Sequence, residues 1–216
     1  MSFGGEAVYF NRVRQEILPL LPATPGRYLE IGCGAGATLA HIRTLGLATW
    51  AGGVEFSPEA AKRAGEKGFD LLLQGDVETM ALPLEPGSLD VILCLDVLEH
   101  LRDPWAMAAR LAGLLKPGGV LVVSLPNIRH YKIVLALLFR GQWRYQDAGI
   151  LDRTHLRFFV RESAVELLQG AGLAVEAVQP HGLKRWKLKW ILNRLLLGSL
   201  TDLFAEQFLL RGRKGS

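Results

Sequence analysis

The chain has 216 residues, half of them hydrophobic and 21% charged, with 24 glycines and 10 prolines. That balance excludes a disordered segment, a collagen-like repeat and a disulfide scaffold, and fits one domain with a substantial core. The net charge of +4 is local: residues 181–216 carry eight Lys/Arg against two Asp/Glu, leaving 17 basic and 19 acidic residues in 1–180; the excess therefore does not mark the whole chain as a nucleic-acid binder.

In chain order, an amphipathic period predicts a helix over Ala7–Leu21, closed by Pro22 and Pro25. A strand over Arg27–Ile31, a glycine turn, a helix over Thr38–Leu45 and a strand over Thr49–Val54 follow. The Ser57-Pro58 pair then opens a helix as N-cap and first residue. After a short strand at Asp70–Gln74, the apolar run Leu89–Leu95 reads as a buried strand, Pro104–Leu115 as a helix, and Val120–Leu125 as a second buried strand beyond a Pro-Gly-Gly turn. Apolar strands alternating with helices predict an α/β domain with a parallel sheet covered on both faces. The last third changes character. Asn127–Leu156 has no clean strand, Arg161–Gly170 reads as a helix, and Leu173–Val178 and Leu203–Leu210 read as strands. Residues 1–216 are taken as a single domain, with 127–160 a lid or substrate insertion above the sheet and 181–202 a basic amphipathic helical insertion between the last two strands.

The longest uninterrupted apolar run, 133–139, is seven residues, far short of the ~20 of a spanning helix. The start MSFGGEAVYFNRVRQE lacks the basic and apolar regions of a secretory leader. Cys33 and Cys94 sit in apolar segments with no CxxC or Cys/His spacing, which predicts neither a metal site nor disulfides and favours a reducing cytoplasm.

Chemistry concentrates first at Glu30-Ile31-Gly32-Cys33-Gly34-Ala35-Gly36, three glycines between a strand end and a helix start. Glycines there permit positive φ and close approach of a ligand to backbone amides. Gly32, Gly34 and Ala37 also satisfy a dinucleotide pattern, so the turn alone does not separate nicotinamide binding from other nucleoside binding. Acids at successive strand ends add discrimination. Glu55 follows the second strand, where a carboxylate accepts from ribose hydroxyls, and Asp76 follows the third. With Cys94–Asp96 after the fourth strand, these residues converge on one crevice. A dinucleotide uses Glu55 but gives Asp76 no task; a ligand with adenine between strands 2 and 3 uses both.

The segments LEIGCGAG, GVEFS, GDVETMALPLEPGSLDVILCLDVLEHL and LKPGGVLVVSLPN, spanning about Tyr28–Asn127, resemble those of class I S-adenosylmethionine-dependent methyltransferases, especially bacterial small-molecule enzymes of quinone and surface-glycan pathways. The resemblance implies a Rossmann-like three-layer sandwich with a seven-stranded sheet ordered 3-2-1-4-5-7-6, the last strand antiparallel, and S-adenosylmethionine as cofactor. It places Glu30, Gly32, Gly34 and Gly36 near the methionine part, Glu55 at the ribose, and Asp76 and Val77 at the adenine, with Cys33 and Phe56 also counted as cofactor-binding. Cys94, Leu95 and Asp96 flank the sulfonium side, His100 is taken as cofactor-facing, and Arg14 reaches the methionine carboxylate.

Methyl transfer from a sulfonium is an in-line displacement that needs alignment more than covalent chemistry, plus a proton acceptor where the nucleophile is protonated. Of the five histidines, His130 follows the fifth strand and His155 lies in Asp152-Arg153-Thr154-His155-Leu156-Arg157-Phe158-Phe159, similar to a DxxHLRFF segment in that superfamily. His155 is taken as base or substrate-orienting residue, and His130 stands second. The apolar run 133–139, with Trp143 and Tyr145 close behind, suits an apolar acceptor or a packed lid. In 184–197, cations interleave with Trp186, Trp190 and leucines; that segment fits packing on the sheet, a homodimer, or contact with an inner membrane surface. The expectation is O-methylation of a small molecule, N-methylation next, without a metal and without nucleic acid as partner. A non-catalytic adenosyl-cofactor-binding subunit and an NAD-dependent oxidoreductase are the alternatives.

Overall fold

The computed structural model describes residues 12–182 and 200–215. Seven strands form one sheet: β1 (Gly26–Ile31), β2 (Ala48–Glu55), β3 (Leu71–Gln74), β4 (Leu89–Leu95), β5 (Leu115–Pro126), β6 (Leu173–His181) and β7 (Gln207–Lys214). Between them run α1 (Ala37–Thr44), α2 (Pro58–Gly65), α3 (Pro104–Leu114), α4 (Tyr131–Arg140), α5 (Arg161–Gly170) and the short α6 (Thr201–Phe204). The order is β3-β2-β1-β4-β5-β7-β6, and β7 is antiparallel to both of its neighbours, the topology expected from the motifs.

Alternation along the central strands divides the core. Leu29 and Ile31 of β1, Ile92 and Cys94 of β4, and Leu121 and Val123 of β5 face Met107, Leu111, Leu167 and Leu168 of α3 and α5. Tyr28, Val91, Leu93, Val120 and Val122 face the other way, against Ile17, Leu20, Leu39 and Ile42. Each fully buried side chain of this size removes ~1.5–3 kcal/mol worth of apolar surface from water, and both faces are needed because a parallel sheet has no solvated side. Ser57 caps α2 by accepting from the Ala60 amide at 3.4 Å, and Asp103 caps α3 through the Ala106 amide at 2.9 Å; both helices carry proline in the first turn, where a missing N–H costs nothing.

Four elements differ from expectation; one is β6, which runs on past Val178 to His181, into the segment expected as a helical insertion. The described part of the first helix is a 3-10 helix over Gln15–Leu20, because Pro19 lies inside it and cannot supply an α-helical N–H; residues 7–11 of that expectation lie outside the described residues. The fifth strand begins at Leu115 instead of Val120, since Pro117-Gly118-Gly119 runs through its first part. The last strand begins at Gln207, not Leu203, and runs to Lys214. Leu203 and Phe204 instead form α6, whose end is held by the Asn127 side-chain amide donating to the Asp202 and Ala205 carbonyls at 2.6 and 2.9 Å.

Within residues 127–160, an isolated bridge between Asn127 and Phe159 brings the two ends together. No residue of α4 is buried. Of the ten large hydrophobic side chains exposed among the described residues, seven lie between 135 and 156: Leu135, Leu137, Leu138, Phe139, Trp143, Tyr145 and Leu156. Such clustering marks a functional surface more than scattered exposure does. The basic segment 184–197 falls outside the described residues, and among those described no helix is long and apolar enough to cross a membrane.

Gly119 sits where a Cβ would meet three backbone oxygens, of Lys116, Leu89 and Asp90, at 2.9–3.2 Å, whereas a Cβ on Gly113 in α3 meets nothing within 4 Å. We expect Gly119→Ala to destabilise by about 1–3 kcal/mol and Gly113→Ala to be neutral or stabilising. Thermal unfolding of both variants checks this, and equal melting points would contradict the register of β5.

Candidate active site

The carboxyl ends of β1, β2, β3 and β4 share one edge of the sheet. After β1 the chain turns through Gly32, Gly34 and Gly36, at φ 67°, 55° and 77°, a region that glycine alone enters without cost. Space reinforces the requirement: a Cβ on Gly32 would fall 2.5 Å from Val97 Cγ2, and one on Gly36 2.7 Å from Phe69 Cζ. The Gly32 and Cys33 amides donate to the Val54 carbonyl at 2.8 and 3.1 Å, which ties the turn to β2. Glu55, 6% exposed at the end of β2, accepts from the Gly34 amide through Oε2 at 2.7 Å and from the Ser57 amide through Oε1 at 2.8 Å. Each oxygen keeps a further lone pair for a hydroxyl donor.

Glu30, at the end of β1, is buried and its Oε2 has no hydrogen-bond partner. Burial, with the neighbouring Glu55 adding to it, pushes its carboxyl up to about 8, while Arg14 and a backbone hydrogen bond at Leu39 oppose the shift. A neutral acid at the foot of a glycine turn is a latent anion, ready for a ligand that brings positive charge.

Beyond β4, Asp96 has φ 56°, the one non-glycine positive φ among the described residues. Its carboxylate holds this backbone by collecting partners. Oδ2 accepts from Arg14 Nη1 at 2.6 Å, and Oδ1 from Ser124 Oγ at 2.6 Å and Gln207 Nε2 at 2.9 Å. Arg14 also pairs with Glu16 and donates to Ser124 Oγ at 3.2 Å. Strands β5 and β7 and the N-terminal segment therefore all meet at one side chain.

A second cluster forms where the 3-10 helix Leu98–His100 meets residues 150–157. The Glu99 carbonyl accepts from the Leu156 and Arg157 amides at 2.8 and 3.0 Å. This brings the His155 ring to 4.7 Å, centroid to centroid, from that of His100. His155 Nδ1 lies 3.0 Å from the Ile150 carbonyl, and His100 Nδ1 3.3 Å from the Thr154 carbonyl. Carbonyls only accept, so each neutral ring carries its proton on Nδ1 and presents the Nε2 lone pair. His100 is held below the usual imidazole value by burial and by His155. Glu99 is 1% exposed, both of its oxygens lack partners, and burial with the nearby Asp96 raises its carboxyl well above the carboxylate range. Among the described residues, Glu99, His100 and His155 offer ligand-type atoms within 4.8 Å of one another. A carboxylate with two imidazoles is a donor set that divalent transition metals accept; the sequence reading had none there.

The remaining expected residues fall as follows. Cys33 and Cys94 are buried and burial raises both thiols, so neither is a nucleophile. Leu95 is buried, Phe56 is 72% exposed beside Glu55, and Val77 is buried. Asp76 is exposed, and its Oδ1 accepts from the Glu78 amide at 2.9 Å. His130 starts α4 with its ring 4.6 Å from that of Tyr131, while His155 is the histidine joined to His100. Sequence reasoning missed Ser124 and Gln207; the signal for Ser124 was a lone hydroxyl inside the apolar run of β5.

A family model described as a methyltransferase domain matches residues 7–178. A ubiquinone biosynthesis O-methyltransferase of Xanthomonas campestris pv. campestris is 32% identical over 207 residues, covering 89% of this chain and 79% of that one. Among solved structures, an S-adenosylmethionine-dependent methyltransferase from Archaeoglobus fulgidus aligns with a TM-score of 0.68 at 18% identity, covering 98% of this chain and 95% of that one. A Thermotoga maritima structure described as a possible histamine N-methyltransferase aligns at 0.65 and 23% identity, covering 93% and 86%. The two solved structures share the fold at identities that say nothing about substrate.

Because Glu30 binds its proton more tightly folded than unfolded, stability falls as pH rises from 4.5 to about 8, by at most ~1.4 kcal/mol per pH unit. Below that window both states are protonated and the cost is absent. Glu30→Gln should therefore gain in melting temperature over the wild type as pH is raised through the window, and a constant difference across it would contradict a neutral Glu30.

Proposed function

The chain belongs to the methyltransferase-domain family and is an S-adenosylmethionine-dependent methyltransferase; on that basis we propose that it methylates a hydroxyl oxygen of a small phenolic, quinone-like acceptor with an apolar portion. The observation that carries this reading is His155, whose Nδ1 is engaged by the Ile150 carbonyl, leaving Nε2 as a proton acceptor at the seam between the β4 end and the lid. The name of the 32%-identical relative supports a phenolic oxygen as acceptor, and the exposed apolar side chains of the lid favour an apolar molecule over a sugar hydroxyl.

The residues present fit the cofactor. Its ammonium group suits the unpartnered Glu30 oxygen, and the glycine turn leaves room for the methionine part against backbone. Glu55 accepts from the ribose hydroxyls through the lone pairs that the Gly34 and Ser57 amides leave free. Asp76, Val77 and Phe56 bracket the base, Cys94–Asp96 and His100 flank the sulfur, and Arg14 faces the carboxylate with the N–H groups not used by Asp96, Glu16 and Ser124. When bound, S-adenosylmethionine supplies a methyl group on a positively charged sulfur, open to in-line attack. His155 Nε2 would take the proton of the acceptor hydroxyl as the methyl group leaves the sulfur for that oxygen, and the His100 ring, packed edge-on at 4.7 Å, orients the imidazole. A second reading is favoured by one observation, the Glu99 carboxyl with neither oxygen partnered: a divalent cation held by Glu99, His100 and His155 would bind the acceptor oxygen and lower its pKa.

His155→Asn should lower turnover of a catechol panel about 10²-fold or more and leave affinity for S-adenosylhomocysteine near that of the wild type, as read by mass spectrometry of methylated product and by calorimetry. Unchanged turnover at saturating substrate removes the role of His155. Turnover lost to a chelator and restored by Mg²⁺, Mn²⁺ or Zn²⁺ would select the cation reading over the unaided base.

A further inference from the structure

The loop after β3 is fastened to α3 from two directions. Arg110, on the flank of the helix, donates through Nη1 to the Val77 carbonyl at 2.8 Å and through Nη2 to the Met80 carbonyl at 2.6 Å. Glu78 Oε1 accepts from the Arg102 and Asp103 amides at 3.0 and 3.1 Å, groups that precede the first turn of α3 and have no partner within the helix. Between these anchors the loop closes on itself, with the Thr79 and Met80 amides donating to the Asp76 carbonyl at 3.2 and 2.9 Å.

Residues 99–103, which Glu78 grips, also hold the lid. Besides the two bonds from the Leu156 and Arg157 amides to the Glu99 carbonyl, the Arg157 guanidinium donates through Nε to the Arg102 carbonyl at 3.1 Å. The amide of Arg102 faces the base-side loop and its carbonyl faces the lid. One peptide-length segment thus separates the loop that begins with Asp76 from the segment that carries His155.

We propose that Glu78 is a positioning residue that transmits occupancy of the base-side loop to the His155 segment through residues 99–103, and that Arg110 fixes the loop itself. The inference rests on the placement of adenine at Asp76 and Val77, not on which acceptor is methylated. A ligand that settles against residues 76–80 tightens the carboxylate of Glu78 on the Arg102 and Asp103 amides, and the same backbone then presents its carbonyls to Leu156 and Arg157. Cofactor binding therefore orders the acceptor side before an acceptor arrives. A physical coupling is tested by cutting a specific contact, and among the described residues Glu78 supplies the side-chain hydrogen bonds from this loop to the Arg102 and Asp103 amides.

The experiment uses S-adenosylhomocysteine as probe and needs no acceptor. Hydrogen–deuterium exchange of the peptide covering 151–158 is compared with and without saturating ligand, and affinity is measured by calorimetry. In the wild type and in Glu78→Gln, whose amide oxygen accepts the same two bonds, ligand slows exchange in this peptide. In Glu78→Ala the ligand still binds at saturation but the slowing is lost. Arg110→Met, which loosens the loop without cutting the link, weakens S-adenosylhomocysteine and adenosine alike by tenfold or more. Wild-type protection in Glu78→Ala overturns the proposal, as does loss of protection in Glu78→Gln. If Glu78→Ala does not fold, unchanged affinities in a folded Arg110→Met overturn it. A protein that shows the coupling but methylates no catechol keeps this inference and loses the phenolic acceptor.

Discussion

A carboxylate can be buried only if N–H groups surround it or a proton neutralises it, and the carboxyl edge of this sheet is organised around that choice. Buried Glu55 and partly buried Asp96 take the first route. Glu55 collects the Gly34 and Ser57 amides, Asp96 collects Arg14, Ser124 and Gln207, and in doing so they pin the glycine turn, the N-terminal segment and the last strand to one place. Glu30 and Glu99 take the second, each buried with oxygen left unpartnered. The satisfied acids build the crevice. The unsatisfied ones give it a chemical preference, since a cationic ligand recovers part of what their burial costs.

The sheet and the lid answer different physical demands. The sheet is closed by two apolar faces and leaves its strand ends as the place where polar groups collect. Segment 127–160 buries no residue of α4 and is held at its ends by hydrogen bonds: the Asn127 side-chain amide at one, and the Leu156 and Arg157 amides on the Glu99 carbonyl at the other. An element fastened at its ends, with the helix between them exposed, belongs to the low-stability end of a structure.

What was legible in the sequence follows the range of the interactions. Strands β1, β4 and β5 declare themselves by continuous apolar runs, and the glycine turn with Glu55 and Asp76 by spacing along one chain direction. The sheet order came from the resemblance carried by these motifs. The 3-10 turn was hidden because the apolar period of the first segment masked Pro19. Ser124 and Gln207 reach Asp96 across 28 and 111 residues; parallel pairing of β5 with β4 brings the first and the antiparallel return of β7 the second. The pairing of His155 with His100 across 55 positions depends on two amides bonding one carbonyl, a feature with no sequence pattern of its own. Local rules found the glycine turn and the acids at the strand ends; the His100–His155 cluster is written in tertiary contacts.

The placement of β7 has a consequence for how the chain comes to be folded. It fills the slot between β5 and β6 and pairs along residues 120–126 of β5, so during synthesis the edge of β5 waits unpaired until residues 207–214 have left the ribosome. Gln207, the first residue of that strand, is also a partner of Asp96. Most of the groups at this carboxyl edge are encoded before residue 100, yet the Gln207 bond to Asp96 arrives with β7. Fragments released early would carry an open apolar edge and an incomplete Asp96 shell, which makes them targets for chaperones and proteases rather than competitors for cofactor.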